Sequence, residues 1–142
     1  MTNHSRFEAG AMDLWNGPVF QHAVKPLKAA GKKFLQQELS LTGMELSLNS
    51  LPPGDGPRFL HRHHKHEEVY LFIEGAGEFQ VDGERFPVTA GSAVRVAPHG
   101  KRAWRNTGTR PLVYIVIQAP AGGIAAATIE DGEALREKIS WE

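Results

Sequence analysis

The chain predicts an all-β fold, a sandwich or barrel built as one domain. Turn signals recur every ~8–12 residues through its central part, the spacing of short antiparallel strands. The runs between the turns are rich in β-branched and aromatic residues, which suit a pleated, half-buried surface. Several runs also alternate apolar and polar residues with a period of two, the mark of a strand with two different faces.

Residues 1–39 read as an N-terminal extension packing on or near the barrel. Positions 1–17 lack periodicity, and "PVFQHAV" (18–24) suits a short strand. "AAGKKFLQQELSL" (29–41) places Phe34, Leu35 and Leu39 at helical spacing, which allows a short helix.

Residues 40–120 read as the barrel. "GMELSLNSL" alternates Met44, Leu46 and Leu48 with Glu45, Ser47 and Asn49, as a half-buried strand does. "PPGDGP" (52–57) is a turn by composition. "EEVYLFIEG" (67–75) is the next strand, and "GAGEFQVDGERFPV" is a hairpin around Asp82-Gly83. "GSAVRVAPHG" and "RAWRNTG" supply two more strands, and "RPLVYIVIQAP" (110–120) is a nearly continuous apolar one. Residues 121–142 form a tail. Its segment from Thr128 has early acidic residues, Leu135 and Ile139 four apart, and late basic residues, so a short C-terminal helix is expected.

The 142 residues hold 41% hydrophobic and 23% charged residues, ordinary for one globular domain with a real core. Sixteen basic residues balance sixteen acidic ones, so no overall field draws in nucleic acid or an anionic membrane. Cysteine is absent, which excludes disulfides, thiolate metal sites and cysteine nucleophiles. Any metal must therefore be held by His or by oxygen donors. No secretory pattern opens the chain, and no run nears the ~18 apolar residues of a membrane span, so a cytoplasmic protein is expected.

Four of the seven histidines fall in "HRHHKHEEVY" (61–70), followed at once by two glutamates. Residues two apart on a strand share a face. If this stretch is extended, His61 and His63 point one way, into the barrel. His64 and Arg62 point out, and His66 lies in a connecting turn. Glu68 shares a face with Tyr70 and Phe72, and a hairpin would bring it beside His63. Two imidazoles and a carboxylate suit Fe(II), Mn(II), Zn(II) or Ni(II). The same letters also suit a solvated histidine-rich turn.

Read as one unit, residues 54–106 resemble the cupin superfamily, specifically its small single-domain conserved-barrel proteins. His61-Arg62-His63, four residues, Glu68, six residues and Gly75 follow the family's first motif from its first histidine onward. Gly54 and Gly56 bracket the expected leading glycine. Gly91 and Pro98-His99-Gly100 follow the second motif with one extra residue between them, and Asn106 comes one residue early. The resemblance implies an antiparallel jelly-roll barrel with an open mouth and a homodimer. It also implies a divalent metal at His61, His63 and Glu68.

The second motif usually carries a histidine as fourth ligand. Its position falls on Ala103 counted from Pro98, or on Arg102 counted back from Asn106. Neither side chain can ligate, since Ala has no donor atom and Arg stays protonated. His99 sits at the variable position of the Pro-x-Gly turn, where pointing to solvent competes with serving as a substitute ligand. Three readings follow: a three-ligand metal, a metal-free barrel, and, compatible with either, an Arg102 that enters the pocket to pair with an anionic ligand.

Tyr70, Phe72, Arg102 and Trp104 are the candidate pocket lining, with barrel core the competing role for the three aromatics. "KRAWRNTGTR" (101–110) interleaves basic residues with a tryptophan, but a charged edge strand explains it better than nucleic-acid binding. Ser47 and Ser92 lack a His/Asp framework for nucleophilic catalysis. The expected partner is a small molecule, and Arg102 favours an anionic one. By resemblance, the expected activity is isomerisation, dioxygenation or decarboxylation, with a metal-free binding or sensory barrel as the alternative.

Overall fold

The β-branched and aromatic runs become strands, and two apolar faces meet between them. A computed structural model describes residues 2–142. In chain order the strands are β1 (Val19–Gln21), β2 (Lys28–Ala30), β3 (Lys32–Phe34), β4 (Glu45–Leu51), β5 (His66–Glu74), β6 (Ala76–Val81), β7 (Glu84–Thr89), β8 (Ala93–Val96), β9 (Arg102–Asn106) and β10 (Leu112–Pro120). A single 3-10 turn spans Met12–Leu14, and one short α-helix, α1 (Gln36–Leu39), lies between β3 and β4, within the segment that allowed it.

The strands form a five-stranded sheet of order β3-β4-β10-β5-β8, a three-stranded sheet of order β7-β6-β9, and a β1-β2 ribbon. Every pairing is antiparallel. The two larger sheets enclose one core, the arrangement a jelly roll requires. Because β3 belongs to the larger sheet, that sheet begins at Lys32, inside the segment expected to be an extension.

Two turns set local geometry. Asp82 and Gly83 both have positive φ (50° and 89°), which makes the β6–β7 connection a tight hairpin turn whose twist suits the flanking strands. Gly75 turns β5 into β6 with φ 94°, and a Cβ there would lie 2.6 Å from the Pro111 carbonyl oxygen.

The core is aromatic. Tyr70, Phe72 and Tyr114 from the five-stranded sheet meet Phe79 and Val88 from the three-stranded one, all buried. Phe79 stacks on Trp104 at 5.8 Å between ring centroids and meets Tyr70 edge-on at 4.9 Å. Trp104 Nε1 donates to the Tyr114 hydroxyl at 2.8 Å, joining the two sheets through a polar contact.

β4 turns its polar residues inward. Asn49 pairs with Tyr114, and Ser47 with Val116, so both share the interior face of β10. Ser47 and Asn49 are each 2% exposed. Leu46 and Leu48 therefore lie on the outer face of the sheet, where Leu46 is half-buried and Leu48 is covered. Lys32 pairs with Asn49 across β3–β4 and projects inward with it.

Three expectations are corrected. The C-terminal helix is absent: residues 121–142 contain only turns and are exposed throughout. Thr128, its expected start, has a left-handed φ of 59°. Isolated helices shorter than ~12–15 residues are marginal in water, and here Leu135 and Ile139 find no surface to bury against. The stretch before β5 is a loop rather than a strand, with one isolated bridge, His61 to Arg102. Glu68 does not face His63 across a hairpin either: its strand neighbours are Gln118 and Val96.

Candidate metal centre

The histidine loop is pinned at two points. His61 and Arg102 exchange backbone hydrogen bonds at 3.0 and 3.2 Å, and His63 N donates to the Pro98 carbonyl at 2.8 Å. These anchors hold alternate residues of the loop in the orientation a strand would have given. His61 and His63 are half-buried, while Arg62 and His64 are exposed.

Glu68, on β5, is the focus. His63 Nε2 lies 3.2 Å and His61 Nε2 3.6 Å from Glu68 Oε1. Two donor atoms bound to one ion at about 2.0–2.1 Å stand about 3.0–3.4 Å apart, so these spacings fit a shared metal ion. Among the described residues, His61, His63 and Glu68 are the group of ligand-type side chains that could hold one, with their ligand atoms within 4.8 Å of one another. The donor set, two imidazoles and one carboxylate with positions left open, suits iron, manganese, zinc or nickel alike.

The surroundings keep these groups in ligand form. Burial lowers the His63 pKa despite the neighbouring Glu68 charge, favouring the neutral imidazole. Burial alone would raise the Glu68 carboxyl. The His61 imidazole, the Tyr70 hydroxyl and the charges of His63 and Arg102 outweigh it and hold the group at about 2. Tyr70 donates to Glu68 Oε1 at 2.7 Å and so orients the carboxylate.

Arg102 stands where a fourth ligand was expected. Its side chain is fully buried, with Nε 3.6 Å from Glu68 Oε1. The terminal nitrogens make long contacts, 3.4 Å each, to the carbonyls of His61, Pro98 and Ala97. Ala103 pairs with Gln80 and projects to the opposite face of β9, so the cluster-facing position is Arg102. His99 is exposed and outside the cluster.

The other candidate residues divide. Tyr70 and Phe72 are each 1% exposed and belong to the core, Tyr70 reaching the cluster through its hydroxyl. Trp104 is half-buried, its ring 5.9 Å from His61. β9 is an edge strand, and its outward Arg105 pairs with Glu78 at 2.8 Å, as a charged edge would.

Sequence reasoning missed a second polar group. His66 begins β5 on the same face as Glu68, rather than lying in a turn. Its ring stacks on His63 at 6.1 Å, and its Nδ1 is 2.8 Å from Gln118 Oε1. His66 and Gln118 line a cleft of about 860 Å³ together with Lys32, Phe34 and Glu45. Lys32 Nζ donates to Asn49 Oδ1 at 2.7 Å and to Ser47 Oγ at 3.3 Å. The one sequence signal was the Glu45/Ser47/Asn49 face of β4, which fits an inward polar wall as well as a solvated one.

A barrel of this topology with His61, His63 and Glu68 inside defines a cupin. The cupin-domain family model matches residues 47–118, and the chain belongs to that family. It is similar to a cupin protein of Bacteroides fragilis, BF4112, at 32% identity and a TM-score of 0.77, covering 95% of this chain and 99% of that one. A structure from Acidithiobacillus ferrooxidans, described as a candidate sugar phosphate isomerase, is 25% identical with a TM-score of 0.65, covering 80% of this chain and 74% of its own. The uncharacterized protein MJ1618 of Methanocaldococcus jannaschii is 30% identical over 79 residues, 55% of this chain and 63% of that relative.

Proposed function

We propose that the barrel holds a divalent metal through His61, His63 and Glu68 and presents it to a small anionic metabolite. The observation that carries this reading is the convergence of two imidazole nitrogens on one carboxylate oxygen at 3.2 and 3.6 Å. Three protein ligands leave coordination positions for a substrate. A metal there would supply Lewis acidity toward a bound oxygen. The protein's own part is to orient Glu68 through Tyr70, to keep His63 neutral and to set the fixed charge of Arg102 beside the site. Isomerisation of a sugar phosphate, as described for the A. ferrooxidans relative, is one chemistry compatible with this. Dioxygenation and decarboxylation of a small acid are others.

A metal-free binding barrel is the second reading. It is favoured by Arg102, which already gives Glu68 a permanent cationic neighbour at 3.6 Å.

Metal content of untagged protein separates the two. The parent and a His64→Ala/His99→Ala variant should carry near-stoichiometric metal, and His61→Ala and Glu68→Gln should lose it. A parent that stays substantially empty after exposure to Fe, Mn, Zn and Ni would sink the metal reading. Metal lost only from the His64→Ala/His99→Ala variant would move the site to the surface.

A further inference from the structure

Lys32 is a cation inside the barrel wall with no counter-ion. It comes from β3 and is directed inward by its register with Asn49. Its two hydrogen bonds go to neutral acceptors, Asn49 Oδ1 and Ser47 Oγ, and it also lies over the neutral Phe34 ring at 5.0 Å. An ammonium has three donors, and among the described residues the third has no acceptor. No carboxylate lies within ion-pair distance of it among those residues either.

The cleft's carboxylates are already engaged. Glu38 pairs with Lys33 at 2.8 Å, and Glu45 accepts from the Gln36 backbone at 2.9 Å. Lys32 is thus the cleft's cation without an ion-pair partner, with the Glu68 and Glu45 charges acting on it only from a distance. Burial lowers its pKa to about 8 against the raising influence of Glu68 and Glu45, which leaves it mostly protonated near neutrality. The same cleft reaches His66, which stacks on His63, so an anion seated at Lys32 would lie on the approach to the metal cluster.

We propose that Lys32 is the anion anchor of the cleft, receiving the carboxylate or phosphate group of the small molecule that the metal centre serves. Asn49 and Ser47 hold the ammonium in place while leaving a donor free. A half-buried cation with a preorganised free donor binds an oxyanion more strongly than a fully exposed one, because less water remains to compete. This assignment rests on the barrel being a small-molecule site, and its test is separable from that of the metal.

The test titrates inorganic phosphate and malonate into the parent, Lys32→Met and Lys32→Arg by calorimetry, with metal content measured on each. The parent should bind at least one of the two anions, and which one identifies the head group. Lys32→Met should weaken that binding about ten- to a hundredfold with metal content unchanged, the loss of one charge-assisted contact. Lys32→Arg should recover part of it. Equal binding by the parent and Lys32→Met would overturn the anchor, leaving Lys32 as a tie between β3 and β4. Binding of neither anion by the parent would overturn it as well. So would loss of metal along with anion binding in Lys32→Met, since the residue would then act through the metal site. A parent without metal whose anion binding still depends on Lys32 would keep the anchor and reject only the metal reading.

Discussion

Arg102 Nε lies 3.6 Å from Glu68 Oε1, and it is the one buried side-chain polar atom among the described residues that lacks a hydrogen-bond partner. A fully buried guanidinium with an unsatisfied donor is costly to maintain. Here it faces the carboxylate of the His61-His63-Glu68 group, and its charge opposes that of any cation placed there.

Replacing Arg102 should therefore change metal affinity in a defined direction. Arg102→His removes the opposing charge and adds an imidazole facing Glu68. Metal affinity, measured by competition with a chromophoric chelator, should rise about tenfold or more. An affinity equal to or below that of the parent would show that position 102 does not face the ion.

Glu68 makes the metal-stripped protein acid-sensitive over a stated window. Its folded pKa, about 2, lies below the ordinary 4.5, so the unfolded chain binds more protons between these values. The stabilisation is present above ~4.5 and is lost as pH falls toward ~2. At about 1.36 kcal/mol per pKa unit it amounts to at most about 3 kcal/mol. Urea unfolding at stepwise lower pH should show this slope in the parent and a flatter one in Glu68→Gln. Identical slopes would remove Glu68 as its source.

Tyr70→Phe keeps the core volume and deletes the 2.7 Å hydrogen bond to Glu68. Stability should fall by about 1–2 kcal/mol in thermal or urea unfolding. Metal affinity should fall about tenfold, as expected when a group orienting a ligand is removed. A stability loss without any change in metal affinity would mean that the hydroxyl serves the core alone.

Removing residues 121–142 should leave the barrel intact. Every residue of this segment is exposed. The truncated protein should unfold within about 0.5 kcal/mol of the parent, the usual range for surface changes. A larger loss would mean that the tail packs on something in solution.

The barrel was legible because its signals are local. Asp82-Gly83 requires its hairpin, and the β-branched runs have few other places to go. His61, His63 and Glu68 were legible through spacing, although the loop that carries the histidines reaches its place by bonding to Arg102 and Pro98 rather than by pairing as a strand. Lys32 and His66 were not legible. Period-two alternation separates two faces of a strand without saying which faces the core, and β4 shows the cost of that ambiguity. The tail helix failed for a related reason: spacing between Leu135 and Ile139 describes a stripe, and a stripe forms a helix only where something receives it.

The reversed facing of β4 also inverts the usual rules of substitution at positions 46 and 47. Hydropathy would mark Leu46 as the position to protect and Ser47 as the one free to vary. In this barrel Ser47 is 2% exposed and shares Lys32 with Asn49, whereas Leu46 lies on the outside and is only half-buried. An evolving chain could trade Leu46 for threonine at modest loss, while leucine at 47 would crowd the interior and strip an acceptor from the Lys32 ammonium.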